Sequence, residues 1–327
     1  MATPSSIFTE LVTTTDRSWG RKVTDNVSDH NALLNRLKSK GKIKTLSGGT
    51  EITEPLSYAE NETYQRFSGY DSLNTQPSDV LTTVKYPWQQ IALHVTASGR
   101  ELRLNAGKAQ MINLVKARKE NALRTAANQF SIDVYSDGSL TNQINGLSNL
   151  IQTNGEGTVG GIDAATWTFW KNKYKEMTGT NLAATPNATN AASLKADMGG
   201  LWLSLNRGAD KPDMIVATHD MYTLYETGEQ QLQRYANADL AKAGFTNIKY
   251  KSADVIFDDN TNFATTDEKM YFVNTDYLCL TQHKEAQWTM DKDKTPINQD
   301  AVVIPMYWMG NMVCTQRSLQ GVLFDAA

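Results

Sequence analysis

Residues 105–135 constrain the fold most, because their apolar residues recur with the spacing of one long amphipathic helix. At about 1.5 Å per residue, such a helix would be about 40 Å long. Ser136-Asp137-Gly138 provides a stop signal after it. We therefore predict a spine helix over residues 105–137, on which other elements pack. Its apolar face is formed by residues four or seven apart: Met111, Val115, Ala122, Ala126, Phe130 and Val134.

The residues before the spine helix read as two segments that are too polar to form a core. Residues 1–46 predict an extended arm with one short helix around Asn31–Lys38. Residues 47–104 predict a long, projecting β-hairpin, called an extended loop below. Its apolar residues occupy even positions up to Trp88 and odd positions from Ile91 onward, and this phase change at a proline favours a bulge or an edge strand. An isolated ribbon of this kind needs a partner surface.

The residues after the spine helix alternate between helices and short strands, which predicts an α+β fold. Within residues 138–270 we expect helices at 162–177, capped by Asp163, at 191–206 and over most of 219–243. Strands are expected at 214–217, 248–257 and 270–273. Residues 271–327 return to β-structure, with strands expected at 277–281, 286–290, 301–308 and 312–323.

Bulk properties exclude several classes of protein. The 327 residues are 40% apolar and 20% charged, as in a globular chain, and the formal net charge of -3 argues against a dedicated nucleic-acid binder. No apolar run is long enough for a membrane span, and the N-terminus does not resemble a secretory signal. The two cysteines, Cys279 and Cys314, lie in apolar runs and predict buried thiols in a reducing compartment.

A glycine-rich stretch from Gly155 to Gly161 matches the spacing G-x-G-x-x-G of dinucleotide-binding loops. Such a loop needs a hydrophobic strand directly before it and an acidic residue about 20 residues later. Gln152-Thr153-Asn154 precedes the glycines, and the region near residue 180 reads as a polar loop. The stretch therefore predicts a turn and not a cofactor site.

The other residue types that carry chemistry are scattered. The four histidines, His30, His94, His219 and His283, show no metal-ligand spacing, so neither a metal nor a cofactor is predicted. Asp258-Asp259-Asn260 could bind a hard cation, although a turn after a strand explains it more simply. His219 follows a predicted buried strand, where active-site residues often lie, but a role in capping the next helix explains it equally well.

Two blocks of opposite charge suggest contacts between subunits. A basic run and an acidic block in the extended loop can complement each other across a subunit boundary, although two solvated faces are the simpler alternative. If the basic run acts across such a boundary, reversing its five charges should impair assembly and leave the subunit fold intact. The candidate contact residues are Arg36, Lys38, Lys40, Lys42, Lys44, Glu51, Glu54, Glu60, Glu62 and Arg66.

The order of these segments, from about residue 45 to 327, resembles the major capsid protein of tailed bacteriophages. The local sequence agrees at four stretches: GLSNLIQ with TVGGIDAATWTFWKNKY, KPDMIVATHDMYTLYE, MYFVNTDYLCL, and WMGNMVCTQRSLQGVLFD. The resemblance implies a peripheral domain built on the spine helix, with residues 271–327 returning to it. It also implies an axial domain at residues 138–270, an extended loop that reaches over one neighbouring subunit, and an arm that lies along another.

By this resemblance the chain is a non-enzymatic shell subunit. It would form hexamers and pentamers of an icosahedral virion that encloses double-stranded DNA, assembled in the cytoplasm of the host bacterium. Portal and decoration proteins are implied partners. A separate scaffold protein, or none, is implied as well, because about 45 residues before the loop are too few for the built-in scaffolding segment of some members of the family. Two alternatives remain: an encapsulin-like compartment, which shares the fold, and a hydrolase with a site near His219.

Overall fold

The structure is a computed structural model. It describes residues 31–104, 114–179, 183–229, 248–258, 268–290 and 294–325. The described chain forms two compact units. The smaller contains residues 90–131 and 285–308 within these ranges, and the larger contains 31–89, 132–284 and 309–325.

Helices and strands alternate along the chain, which confirms the predicted mixture of both. The helices are α1 (Ala32–Ser39), α2 (Gly99–Leu104), α3 (Leu114–Val134), α4 (Leu147–Leu150), α5 (Ala188–Leu205) and α6 (His219–Glu229). The strands of the first half are β1 (Ile43–Leu46), β2 (Ile52–Ser57), β3 (Leu81–Tyr86), β4 (Gln89–Ser98), β5 (Thr158–Val159), β6 (Ile162–Asp163) and β7 (Lys173–Glu176). Those of the second half are β8 (Met214–Ala217), β9 (Ile248–Tyr250), β10 (Ala253–Phe257), β11 (Glu268–Val273), β12 (Leu278–Met290), β13 (Ala301–Cys314) and β14 (Gly321–Asp325).

The spine helix is present as α3, which ends at Val134, three residues before the predicted limit. Gly138 follows with a φ of 71°, a left-handed conformation that glycine adopts without strain. The predicted first part of this helix, residues 105–113, lies outside the described residues. In the smaller unit, Phe130 of α3 packs edge-on against Trp308 and Trp288, with ring centroids 4.8 and 5.7 Å apart. The apolar face of α3 therefore contributes to an aromatic core.

The larger unit contains a six-stranded mixed sheet in the order β7-β14-β11-β8-β10-β9. β8 is parallel to β10 and antiparallel to β11, and β14 is antiparallel to β11. α5 and α6 contribute Leu194, Met198, Leu201 and Leu224 to one apolar cluster with the residues on one face of this sheet. This arrangement confirms the predicted helix at 191–206 and the strands at 214–217 and 270–273. The single strand predicted at 248–257 is wrong: β9 and β10 are two antiparallel strands joined by a tight turn, in which Lys251 has a φ of 53°.

The extended loop is a shorter ribbon than predicted. β2 and β3 form an antiparallel pair, from Ile52 opposite Tyr86 to Ser57 opposite Leu81. β4 instead belongs to a four-stranded sheet in the order β1-β12-β13-β4, and α2 is helical. Val84 and Tyr86 are buried in β3, and Val95 and Ala97 in β4, which confirms the phase change across Pro87. The change of phase therefore marks the point where the chain passes from one sheet to another.

The helix predicted at 162–177 is wrong. β5 and β6 form a tight hairpin through Gly160 and Gly161, which have φ values of 62° and 76°, and β7 follows. Asp163 does not cap a helix: its carboxylate accepts the N–H of Ala165 and the hydroxyl of Thr166. The Trp-rich pattern arises from packing, because Trp170 is buried and its indole N–H donates to the carbonyl of Val159 at 2.9 Å.

Candidate subunit-interface surfaces

The basic run lies on α1, on β1 and on the turn between them. Asn31 caps α1 by accepting the N–H of Leu34, as the predicted helix at 31–38 requires. β1 lies parallel to β12, with Ile43 opposite Leu280. Arg36 and Lys40 extend from the end of α1, whereas Lys42 directly precedes β1 and Lys44 lies within it.

Three aspartates of the larger unit pair with the basic run. Arg36 donates from Nε to Asp213 at 3.1 Å, and its Nη1 lies 3.8 Å from Asp254. The ammonium of Lys40 lies 3.1 Å from Asp213 and 3.2 Å from Asp276. The sequence did not predict these ion pairs, because the positions of all three aspartates indicated only residues next to strands or turns. The one available signal was that Asp213 directly precedes a fully buried strand.

Asp213 is the centre of this network. Its carboxylate also accepts the N–H and the hydroxyl of Thr275, each at 2.8 Å. Burial would raise the pKa of Asp213, but the hydrogen bonds from Thr275 and the nearby Lys40 ammonium outweigh burial and hold that pKa below its usual value. The ionised carboxylate therefore ties residues 31–46 to the strands of the same chain.

Only one pair joins the basic run to the acidic block, and it lies within one chain. Lys44 donates to Glu54 of β2 at 2.6 Å, and Lys42 donates to the backbone carbonyl of Asp276 at 3.0 Å. Burial would lower the pKa of Lys44, yet the hydrogen bond to Glu54 raises it. The remaining candidates form no ion pair within the described part of the chain and are exposed: Lys38, Glu51, Glu60, Glu62 and Arg66. An inter-subunit role for the ten candidates stays a prediction.

Residues 58–80 connect β2 to β3 and form an exposed loop segment without regular secondary structure. Short-range hydrogen bonds shape it, such as those from Thr63 and Ser78 to Asn61 and from the N–H of Ser68 to Asp71. Its large apolar side chains face solvent. They are Tyr64 (83% exposed), Phe67, Tyr70 and Leu73.

An aromatic cleft of about 480 Å³ lies at the base of this segment. Tyr58 packs on Phe169 with ring centroids 5.4 Å apart, and Trp167 packs on Phe169 at 6.1 Å. Trp167 is more than half exposed. The cleft is open and apolar on one side, which makes it a second candidate contact surface.

The glycine-rich stretch is a turn, as predicted, and a buried arginine occupies its inner side. The guanidinium of Arg317 donates to the backbone carbonyls of Leu150, Glu156 and Gly157 at 2.7, 2.6 and 3.4 Å. Burial lowers the pKa of Arg317. This side of the loop therefore presents carbonyl oxygens to a cation, whereas a phosphate-binding loop presents N–H groups to an anion.

The smaller unit contains a cleft of about 580 Å³ between β4 and α3. At its wall, Arg118 pairs with Glu101 through two bonds of 3.0 Å and donates to the carbonyl of Thr96 at 2.8 Å. The pKa of Glu101 is lowered, chiefly by the hydrogen bond from Arg118. A two-pronged pair of this kind fixes α2 against α3.

The residues considered for catalysis or metal binding do not converge. His219 begins α6, its side chain is 76% exposed, and its ring contacts the carboxylate of Asp220 at 3.1 Å. His94 packs on Tyr307 and His283 on Trp88, whereas His30 and Asp259-Asn260 lie outside the described residues. Cys279 and Cys314 are buried free thiols, and burial raises the pKa of Cys314 to about 12.

Among the described residues, no group of three or more His, Cys, Asp or Glu residues is arranged to hold a metal ion. No helix there is long and apolar enough to cross a membrane.

Comparison with known proteins was made at the level of sequence and of structure. No family model and no curated protein sequence matches the chain. In structure, 93% of this chain matches 95% of the capsid protein in the cyanophage A-1(L) capsid asymmetric unit, with a TM-score of 0.65 and 15% identity. This chain has the fold of tailed-phage major capsid proteins.

Two other structures extend this likeness. The capsid protein of the Myoviridae phage XM1 is matched over 94% of this chain and 100% of that chain, with a TM-score of 0.53 and 15% identity. The SrpI encapsulin of Synechococcus elongatus PCC 7942 is matched over 100% and 96%, with a TM-score of 0.55 and 8% identity. The resemblance seen in the sequence, and the α+β capsid fold that it implied, are therefore confirmed.

Proposed function

We propose that the chain is a structural shell subunit, without enzymatic activity, that assembles into the hexamers and pentamers of an icosahedral phage head enclosing double-stranded DNA. The observation that carries this proposal is a fold match over 93% of this chain and 95% of a phage capsid protein. Because the match spans nearly the whole of both chains, the shared fold is that of the complete shell subunit and not of an embedded module.

The exposed loop segment supports a role in assembly. In the single chain, the large aromatic side chains of Tyr64, Phe67 and Tyr70 are exposed to solvent. Exposed apolar patches in folded proteins mark interaction sites, and closed shells repeat one such contact between every pair of neighbours. The loop segment would cover the surface of a neighbouring subunit, with Glu60, Glu62 and Arg66 on its polar rim.

Each segment then has a part in the shell. In this proposal residues 1–46 form the arm, the β2–β3 ribbon within 47–104 forms the extended loop, and residues 105–137 form the spine helix of a peripheral domain. Residues 271–327 return to that domain through β12 and β13, whereas their last strand, β14, joins the six-stranded sheet. Residues 138–270, with α5 and α6 and most of the six-stranded sheet, form the axial domain at the centre of each capsomer. The fold of the phage capsid proteins supports this division.

The partners follow from the same role. The subunit binds other copies of itself. Portal, decoration and separate scaffold proteins would be its further partners during assembly in the host cytoplasm. DNA would be enclosed without sequence-specific binding, since a net charge of -3 gives the chain no overall positive charge with which to attract it.

An encapsulin-like compartment is the second candidate, because the SrpI encapsulin matches over 100% of this chain. The two functions differ in what the particle contains. Particles should be purified from cells that carry the genes neighbouring this one, treated with nuclease, and analysed for protected DNA and for enclosed protein. A phage head protects double-stranded DNA, whereas particles that contain a cargo enzyme and no protected DNA would contradict the proposal.

A further inference from the structure

Two carboxylates face each other at one end of the six-stranded sheet. The antiparallel register of β11 and β14 places Glu268 opposite Asp325. Side chains of such a pair point to the same face with Cβ atoms about 5 Å apart, and like charges in this position repel. Met270 and Leu323, two residues further along each strand, belong to the core cluster. Because alternate residues share a face, the carboxylates lie at the margin of that core.

Both carboxylates have a buried oxygen without a hydrogen-bond partner. Asp325 is 3% exposed; its Oδ2 accepts the N–H of Ala183 at 2.8 Å, whereas its Oδ1 has no partner. Oε2 of Glu268 is likewise buried and without a partner.

The ion pairs found among the described residues leave both carboxylates out. Asp325 is buried and Glu268 is partly buried, so two negative charges without a counterion at this position disfavour the folded state. A bound cation between them would remove this penalty.

We propose that Glu268 and Asp325 bind a calcium ion between β11 and β14. Ca²⁺ takes oxygen ligands in a flexible geometry, and the two orphaned carboxylate oxygens supply the protein's share, with water completing the shell. Mg²⁺ demands a stricter octahedral arrangement and is expected to bind more weakly. Because only two protein carboxylates bind the ion, Ca²⁺ is expected to bind weakly, with a dissociation constant of about 10⁻⁴ to 10⁻³ M. The bound ion fastens the C-terminal strand β14 to β11.

The test is a calcium titration of the purified full-length protein after treatment with a chelator. Isothermal titration calorimetry and thermal unfolding should show saturable binding of Ca²⁺ and a rise in Tm. Glu268→Gln and Asp325→Asn should each weaken binding by more than about tenfold, because affinity depends on the number of ligand charges. Glu176→Gln is the matched control, since Glu176 is exposed on β7, the strand on the other side of β14, and it should bind Ca²⁺ like the wild type.

Two outcomes would overturn the site. One is wild-type protein whose heats and Tm do not respond to Ca²⁺. The other is Glu268→Gln protein that binds Ca²⁺ as tightly as the wild type. If Glu268→Gln does not fold, Asp325→Asn decides the comparison, because its amide oxygen can still accept the N–H of Ala183.

Discussion

At the scale of single residues, Asp213 connects the N-terminal segment to the rest of the larger unit. Replacing it by asparagine keeps the shape but removes the charge that Arg36 and Lys40 face. Hydrogen bonds to charged groups contribute about 1.5–3 kcal/mol each, so we expect Asp213→Asn to lower the free energy of unfolding by about 2 kcal/mol. Chemical denaturation measures this loss. Asp220→Asn, at a half-exposed position at the start of α6, should change stability little. A loss no larger than that of Asp220→Asn would refute the role of Asp213.

The same carboxylate gives the stability a defined dependence on pH. Because the folded-state pKa of Asp213 is lowered, its contribution is fully present above the unfolded-state value of about 3.9. The contribution is lost as the pH falls through the folded-state pKa. The difference in Tm between wild type and Asp213→Asn should therefore be constant between about pH 7 and 5 and shrink below about pH 4. A difference that persists unchanged at pH 3 would show that the charge is not the cause.

Two adjacent glycines allow the effect of backbone conformation on stability to be distinguished from the effect of side-chain packing. Gly160 and Gly161 both have positive φ, so alanine at either position carries the strain of a left-handed conformation, about 1 kcal/mol. A Cβ at Gly160 would also lie 3.1 Å from atoms of Tyr86 and Val84, whereas a Cβ at Gly161 meets nothing within 4 Å. Gly160→Ala should therefore lower Tm clearly more than Gly161→Ala. Equal losses would contradict the packing of this hairpin against β3.

At the scale of elements, apolar periodicity predicted the helices and strands that local spacing determines. It failed for the segment whose structure depends on contacts with distant residues. The end of α3, the span of α5 and the strand β8 follow from apolar spacing and turn residues alone. The helix expected at 162–177 failed because Trp170 and its neighbours are spaced for packing around a hairpin whose glycines fix the turn. A local sequence pattern cannot distinguish aromatic residues on one face of a helix from aromatic residues that pack around a hairpin.

The candidate contact residues show the same limit. Opposite charges in the sequence predicted contacts between the basic run and the acidic block across a subunit boundary, and this stays a prediction. Within the single chain, Lys44 pairs with Glu54. The other partners, Asp213 and Asp276, come from segments more than 150 residues away, and only the fold brings them together. Reversing all five basic charges would therefore break contacts inside the subunit as well, so it cannot test assembly alone.

The loop segment offers a cleaner test of assembly. Replacing Tyr64, Phe67 and Tyr70 together by serine removes exposed aromatic surface without touching the buried residues. The subunit should keep its Tm within about 2 °C, since substitutions at exposed sites usually change stability by less than 0.5 kcal/mol. Assembly, followed by size-exclusion chromatography and light scattering, should fall sharply. Thr53→Ser, exposed on β2 of the same ribbon, serves as the control and should assemble normally. Normal particles from the triple variant would exclude this segment from the interface.

At the scale of the whole molecule, the sequence predicted the fold through the order of its segments more than through any single motif. A polar arm, a β-ribbon, a long helix, an α+β region and a return to β-structure are each unremarkable. Their succession led to the resemblance to phage capsid proteins, and this chain shares the fold of two such proteins at only 15% identity. The predicted exposure of the loop segment is present as well, and the proposed contacts with other copies would account for a surface of that kind.

Self-assembly is the central claim, and electron microscopy of the overexpressed protein tests it most directly. The protein should be imaged alone and together with the products of neighbouring genes, which supply any separate scaffold. We predict shells, tubes or hexameric rings under at least one of these conditions. A uniform population of small globular particles under all of them would contradict the proposed shell function and return attention to His219 and the aromatic cleft.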